Sequence, residues 1–155
     1  MFALADYELR PLAAADESVL WEMLYLGIRS GKGEEPPREI VQRPEYARYV
    51  QSWGQLGDTG FIAHEKNSGA ALGAVWLREP AGKETPPELA FVVRPDHRHH
   101  GIGASLLTQL MRANPTLSSI ALRMDAKSPA VRLFERFGFE IADQSGTPIV
   151  MHRAI

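Results

Sequence analysis

Apolar positions recur along this chain in two rhythms, one of period two and one of helical period, and they alternate irregularly. Tyr7 to Leu12 reads as a first strand. Val19, Leu20, Met23 and Leu24 then return at helical spacing, with Asp16 and Glu17 placed to favour a helix N-terminus. Gly27 to Pro37 reads as a loop, because SGKGEEPP combines glycine, charge and proline. Pro44 suits the first turn of a second helix, which the spacing carries through Tyr46, Tyr49, Val50 and Trp53 to a stop at Gly54.

Two strand-type runs follow, Gly60–Glu65 and Ala70–Arg78, and Asn67-Ser68-Gly69 between them predicts a hairpin. PAGKETPP is loop-like, and ELAFVV (Glu88–Val93) is rich in strand formers. After a basic, glycine-bearing loop, Ile102, Leu106, Leu110 and Met111 share one helical face until Asn114-Pro115 ends it. Ile120–Met124 is a further strand, and Pro129 opens a short helix to Phe137 that Gly138 stops. Phe139–Ala142 and Ile149–Arg153 are the last strands, on either side of QSGTP. This order predicts one α+β domain with a mixed sheet over residues 1–155.

Composition narrows the picture. A chain of 155 residues, 45% hydrophobic and 23% charged, is large enough to bury a core without disulfides or a structural metal. No stretch is long and apolar enough to span a bilayer, so no membrane role is expected. The start, MFALADYELRPL, lacks a basic segment and carries Asp6 and Glu8, so a signal peptide is not expected. Cysteine is absent, which excludes thiol catalysis and cysteine-bound zinc and fits a cytoplasmic location. The net charge of −2 gives no nucleic-acid footprint. Against that background the basic cluster Arg94, His97, Arg98, His99 and His100 is local and points to a small anion.

The stretch RPDHRHHGIGASLL admits several chemistries. His97, His99 and His100 offer imidazoles, but neighbours on a loop seldom converge on one ion, so no metal is expected. No Gly-Lys-Ser/Thr follows the glycines, which excludes a Walker loop. A dinucleotide fingerprint has Gly101, Gly103 and Asp125 in its favour, and Leu106 at the third glycine position and a long basic turn against it. A pyrophosphate cradle of another kind fits better. Backbone N–H groups at a helix start bind anions, Gly101 and Gly103 let the backbone approach, and Arg98 adds a fixed cation.

Arg98-His99-His100-Gly101-Ile102-Gly103 resembles the Arg/Gln-x-x-Gly-x-Gly/Ala signature of the GNAT superfamily of N-acetyltransferases. ELAFVV and ASLLTQLM look like the strand and helix around that signature, and SPAVRLFERFGFE resembles the family's second motif. The resemblance covers essentially the whole chain. It implies a GNAT-like fold: a mostly antiparallel mixed sheet of about seven strands, about four flanking helices, and splayed fourth and fifth strands. It also implies acetyl-coenzyme A as cosubstrate. Backbone groups of Phe91, Val92 and Val93 would hold the pantetheine arm, and a backbone N–H near Val92 or Val93, with Val93 the candidate, would polarise the thioester carbonyl. Amides from Arg98 through His99, His100, Gly101, Ile102 and Gly103 to Ala104 would hold the pyrophosphate.

By the same resemblance, an acceptor amine attacks the thioester directly in a ternary complex, and Glu88 is the candidate general base. His64 and His152 are weaker candidates, and Arg123 stands where some relatives place a fifth-strand glutamate. The family's tyrosine acid is replaced by Phe134 and its asparagine by Ser128. That opens an alternative, a module that binds coenzyme A without catalysis. The acceptor side would draw on Trp21, Tyr25, Glu34, Glu35, Tyr46, Tyr49 and Trp53, with Trp76 and Arg78 from the third strand. The expected partner is a small-molecule or peptide amine, for a monomer or a homodimer.

Overall fold

The computed structural model describes residues 7–29, 35–78, 87–94, 101–115, 119–124, 130–143 and 149–154. Its elements in chain order are β1 (Tyr7–Pro11), α1 (Glu17–Arg29), α2 (Pro44–Ala47), β2 (Thr59–Glu65), β3 (Ala71–Arg78) and β4 (Glu88–Val93). Then come α3 (Ile102–Ala113), β5 (Ser119–Met124), α4 (Ala130–Arg136), β6 (Glu140–Asp143) and β7 (Ile149–Ala154). Among the described residues the strands form one sheet of seven in the order β1-β2-β3-β4-β5-β7-β6. Every neighbouring pair is antiparallel except β4 with β5. The mixed, mostly antiparallel α+β architecture expected from the sequence is therefore present.

Strand alternation sends successive side chains to opposite faces, and each face carries its own core. Val75, Leu77, Leu89 and Val93 pack with Ile102, Leu106, Leu107 and Leu110 of α3 and with Phe134 and Phe139. Ala74 and Trp76 face the other way, onto Leu20, Met23, Leu24 and Leu26 of α1 and onto Val50 and Trp53. Each large side chain buried completely, such as Leu106 or Met23, contributes about 1.5–3 kcal/mol before entropy is counted.

Two elements depart from the periodic reading. Helix α1 runs through Gly27 to Arg29 instead of ending before it. A Cβ on Gly27 would lie 3.0 Å from Val92 Cγ2, so the bare glycine lets this turn sit against β4. The second helix is only the four residues of α2, preceded by a 3-10 turn at Arg38–Gln42. Tyr49 and Val50 take short bonds to the carbonyls of Tyr46 and Ala47, and Ser52 adopts φ +61.

The reason is tertiary. Arg78 on β3 donates Nη1 to the carbonyls of Gln51 (2.6 Å) and Arg48 (3.4 Å), and Nη2 to that of Ser52 (3.3 Å). A continuing helix would need the Arg48 carbonyl for Ser52 N–H. Asp58 anchors the same guanidinium at 3.0 and 3.1 Å and accepts from the amides of Gly54 and Gln55.

Candidate active site

The parallel pair β4–β5 is in register only at Glu88↔Ala121 and Leu89↔Leu122. Beyond Leu89 the strands separate, so a gap opens towards their C-terminal ends. Backbone alternation decides what faces it. Arg94 N–H donates to Leu72 O of β3, and Pro87 O accepts from Ala121 N–H of β5. Even-numbered residues of β4 therefore turn their polar groups to β3 and odd-numbered ones to β5. Phe91 and Val93 present N–H and C=O to the gap. Val92, in register with Ala74, presents its own to β3.

The N-terminus of α3 lies beside that gap. Gly101 caps it with φ +80, a left-handed conformation that costs a residue with Cβ, and a Cβ there would meet nothing within 4 Å. The first bond of the helix is Ser105 N–H to Gly101 O, 3.0 Å. The N–H groups of Ile102, Gly103 and Ala104 precede it and project from the helix end, where the dipole adds positive potential. Tyr7 Oη, 3.0 Å from Ser105 Oγ, ties this first turn to β1.

Gly103 is needed for a reason other than close approach to phosphate. Its Cβ would stand 2.8 Å from Phe91 Cζ and 3.1 Å from Leu133 Cδ2. The glycine makes room for the Phe91 ring, which meets Phe134 edge-on at 5.1 Å; Phe134 in turn meets Phe139 at 5.2 Å. Phe134 is fully buried and holds this aromatic stack together.

Glu88 sits where β4 and β5 are still paired, on the face shared with α1 and α2. Its Oε1 accepts from Tyr49 Oη and lies 3.2 Å from Arg123 Nε; Oε2 accepts from Arg48 Nη1 at 2.7 Å. Of the two lone-pair directions on each oxygen, Tyr49 takes one on Oε1 and Arg48 takes one on Oε2, so each oxygen keeps one. Burial first, then the bond to Glu88 and its charge, push the Tyr49 phenol above its ordinary value, with Arg48 and Arg123 pulling the other way. Tyr49 therefore acts as a neutral donor to the carboxylate.

The expected site residues are distributed as follows. Glu88, Phe91, Val93, Gly101, Ile102, Gly103 and Ala104 lie around the gap, with Val92 turned to the neighbouring strand. Phe134 backs the gap from α4. Arg98, His99, His100 and Ser128 lie outside the described residues, as do His97, Asp125 and Glu34. Arg94 donates Nε to Ala71 O of β3. His64 lies on β2, with β3 between it and β4. Trp76 and Arg78 do not line the cleft: Trp76 is buried and donates to Tyr49 O at 2.9 Å, and Arg78 holds the turn after α2. Sequence reasoning missed Arg48 and Tyr49 as partners of Glu88, because they lie some forty positions away. Among the described residues, no group of three or more histidine or carboxylate side chains is placed to hold a metal, and no helix is long and apolar enough to cross a membrane.

A model of the acetyltransferase (GNAT) domain matches residues 57–141, from the turn before β2 into β6 and across the whole gap. The chain belongs to the GNAT acetyltransferase family. Solved structures agree in fold. The PaiA N-acetyltransferase of Thermoplasma acidophilum, in complex with coenzyme A, is 20% identical with a TM-score of 0.71, over 96% of this chain and 99% of that one. The Salmonella typhimurium protein yncA, solved with its cofactor acetyl-CoA, is 18% identical with a TM-score of 0.66, over 96% and 93%. A GNAT-family acetyltransferase from Streptococcus pneumoniae is 16% identical with a TM-score of 0.70, over 96% and 99%. At these identities the likeness speaks for the GNAT fold. No curated protein sequence matches the chain.

Proposed function

We propose that this protein is an acetyl-coenzyme A-dependent N-acetyltransferase that acts on a primary amine in a ternary complex. The observation that carries the reading is the gap between β4 and β5, where register ends at Leu89↔Leu122 and strand-edge groups of Phe91 and Val93 face a helix N-terminus. An extended pantetheine arm fits such an edge as an added strand would, and a pyrophosphate fits the projecting amides of Ile102, Gly103 and Ala104. The family membership and the two neighbours solved with coenzyme A or acetyl-CoA support the same ligand.

In the reaction the amine nitrogen bonds to the acetyl carbon, the carbon–sulfur bond breaks, and the amine loses a proton. Val93 N–H donates to the thioester oxygen as negative charge gathers there, a role supported by its position on the β4 edge that faces the gap. Glu88, with a free lone-pair direction on Oε2, takes the amine proton directly or through water. Phe134 supplies packing and no proton. A coenzyme A thiol, with a pKa of about 8.5, leaves well enough for water to reprotonate it.

The missing hydroxyl at Phe134 favours one second reading, a coenzyme A-binding module without transfer. Calorimetry with acetyl-coenzyme A and with NAD, followed by an amine panel scored by thiol release, tests both. Binding of acetyl-coenzyme A with acetylation of one amine class is expected. Binding with only background hydrolysis across the panel favours the module, and NAD binding without coenzyme A binding sinks both.

A further inference from the structure

Among the described residues, the side chains around Glu88 on the α1–α2 face carry more positive than negative charge. Arg48 and Arg123 flank Glu88 in ion pairs of 2.7 and 3.2 Å, two cations on one carboxylate. The two arginines are used differently. Every nitrogen of Arg48 has a protein partner: Nη1 bonds Glu88, Nη2 bonds Tyr49 Oη at 2.9 Å, and Nε bonds Glu45 O at 3.2 Å. Arg123 pairs with Glu88 by charge, with Nε 3.2 Å from Oε1; its side chain is 55% exposed, and among the described residues no hydrogen bond or ion pair engages Nη1 or Nη2. Those two nitrogens form the edge of the guanidinium that takes a carboxylate with two parallel hydrogen bonds.

We propose that the acceptor is an amine that also carries a carboxylate, a free amino acid, with its carboxylate on Nη1 and Nη2 of Arg123 and its amine beside Oε2 of Glu88. The inference rests on the acetyltransferase reading and names the substrate class of that same site. Three observations carry it. Among the described residues two arginines share one carboxylate, and that excess of positive charge draws in an anion and repels an acceptor bearing only positive charge. The contact between Arg123 and Glu88 sets cation and anion side by side, so an acceptor that meets both needs its own two charges close together, as an amino acid has. Glu88 is held by hydrogen bonds from Arg48 and Tyr49, so the carboxylate that pairs with Arg123 has a set position beside the cation.

The test compares the common amino acids with their carboxamides, by thiol release from acetyl-coenzyme A, in the intact protein and in Arg123 variants. The quantity read is the ratio of kcat/KM for acid over amide, which cancels effects common to both amines. Arg123→Gln is expected to lower that ratio by at least about tenfold, Arg123→Lys by less, and Arg123→Glu by more. A ratio unchanged in a folded Arg123→Gln protein overturns the proposal, as does a wild-type protein that uses amides as well as acids. If neither class is turned over, calorimetric titration of norleucine and norleucinamide into the coenzyme A-saturated protein reads the same preference, and equal or absent binding overturns it. Loss of the underlying reading looks different, since acetyl-coenzyme A itself then fails to bind. Acetylation of simple amines without a carboxylate preference leaves that reading standing and removes this one.

Discussion

Glu88, the proposed base, is bonded by Arg48 and Tyr49 and paired with Arg123, and these surroundings define what a substitution does. Glu88→Gln removes the charge that Arg48 and Arg123 share but keeps the size of the side chain. If Glu88 is the base, kcat falls by about a hundredfold or more while acetyl-coenzyme A affinity stays nearly constant. Steady-state kinetics beside calorimetry checks this, and a wild-type rate across the pH range removes Glu88 from the mechanism. Gly103→Ala sets two effects against each other. Alanine gains about 1 kcal/mol of helix propensity, while forcing the Phe91 ring aside costs about 1–3 kcal/mol. Net destabilisation by about 1 kcal/mol is expected, with weaker coenzyme A binding because Phe91 forms part of the β4 edge. Denaturant unfolding and titration read the two separately; a stabilised variant with full affinity would contradict the packing account.

At the scale of elements, the segment after α2 shows how a long-range contact overrides local pattern. Pro44 to Trp53 has helical spacing, yet the chain leaves the helix after Ala47 because Arg78 and Asp58 collect the backbone groups of Arg48, Gln51, Ser52, Gly54 and Gln55. Asp58 is 5% exposed and Arg78 17%, so removing one partner strands the other away from water. Arg78→Leu should cost about 2–4 kcal/mol, read as a lower denaturation midpoint. It should also impair turnover, since Arg48 and Tyr49 reach Glu88 from this segment. A loss below about 0.5 kcal/mol, typical of a surface substitution, would show that the tether is dispensable.

For the whole molecule the decisive feature is the separation of β4 from β5, because it turns a continuous sheet into a slot with backbone polar groups on its walls. Between two cores that pack independently on the two faces, the slot is where a ligand can complete the sheet. Saturating acetyl-coenzyme A should therefore raise the melting temperature, with about 2.7 kcal/mol of added stability at a hundredfold excess over Kd. The same concentration of NAD should leave it unmoved. Differential scanning fluorimetry with both ligands checks the pair, and an equal shift by NAD would revive the dinucleotide reading.

Period-two and helical patterns in the sequence placed all seven strands, α1, α3 and α4 within a few residues, because each buries one face and needs apolar residues at that spacing. Gly101, Ile102 and Gly103 were legible for a similar reason, since a helix start with a left-handed cap is a local property. What the tertiary structure decided was everything that depends on partners distant in sequence. The clasp of Arg48, Tyr49 and Arg123 on Glu88 joins three elements, and no spacing along the chain encodes it. Gly103 was legible as a glycine that must be small, but only the packing showed that an aromatic ring fills its space. The hydrophobic pattern sets which face of each element is buried. Which polar side chains then meet across the slot depends on the registers of β3, β4 and β5, and those form only when the chain is folded.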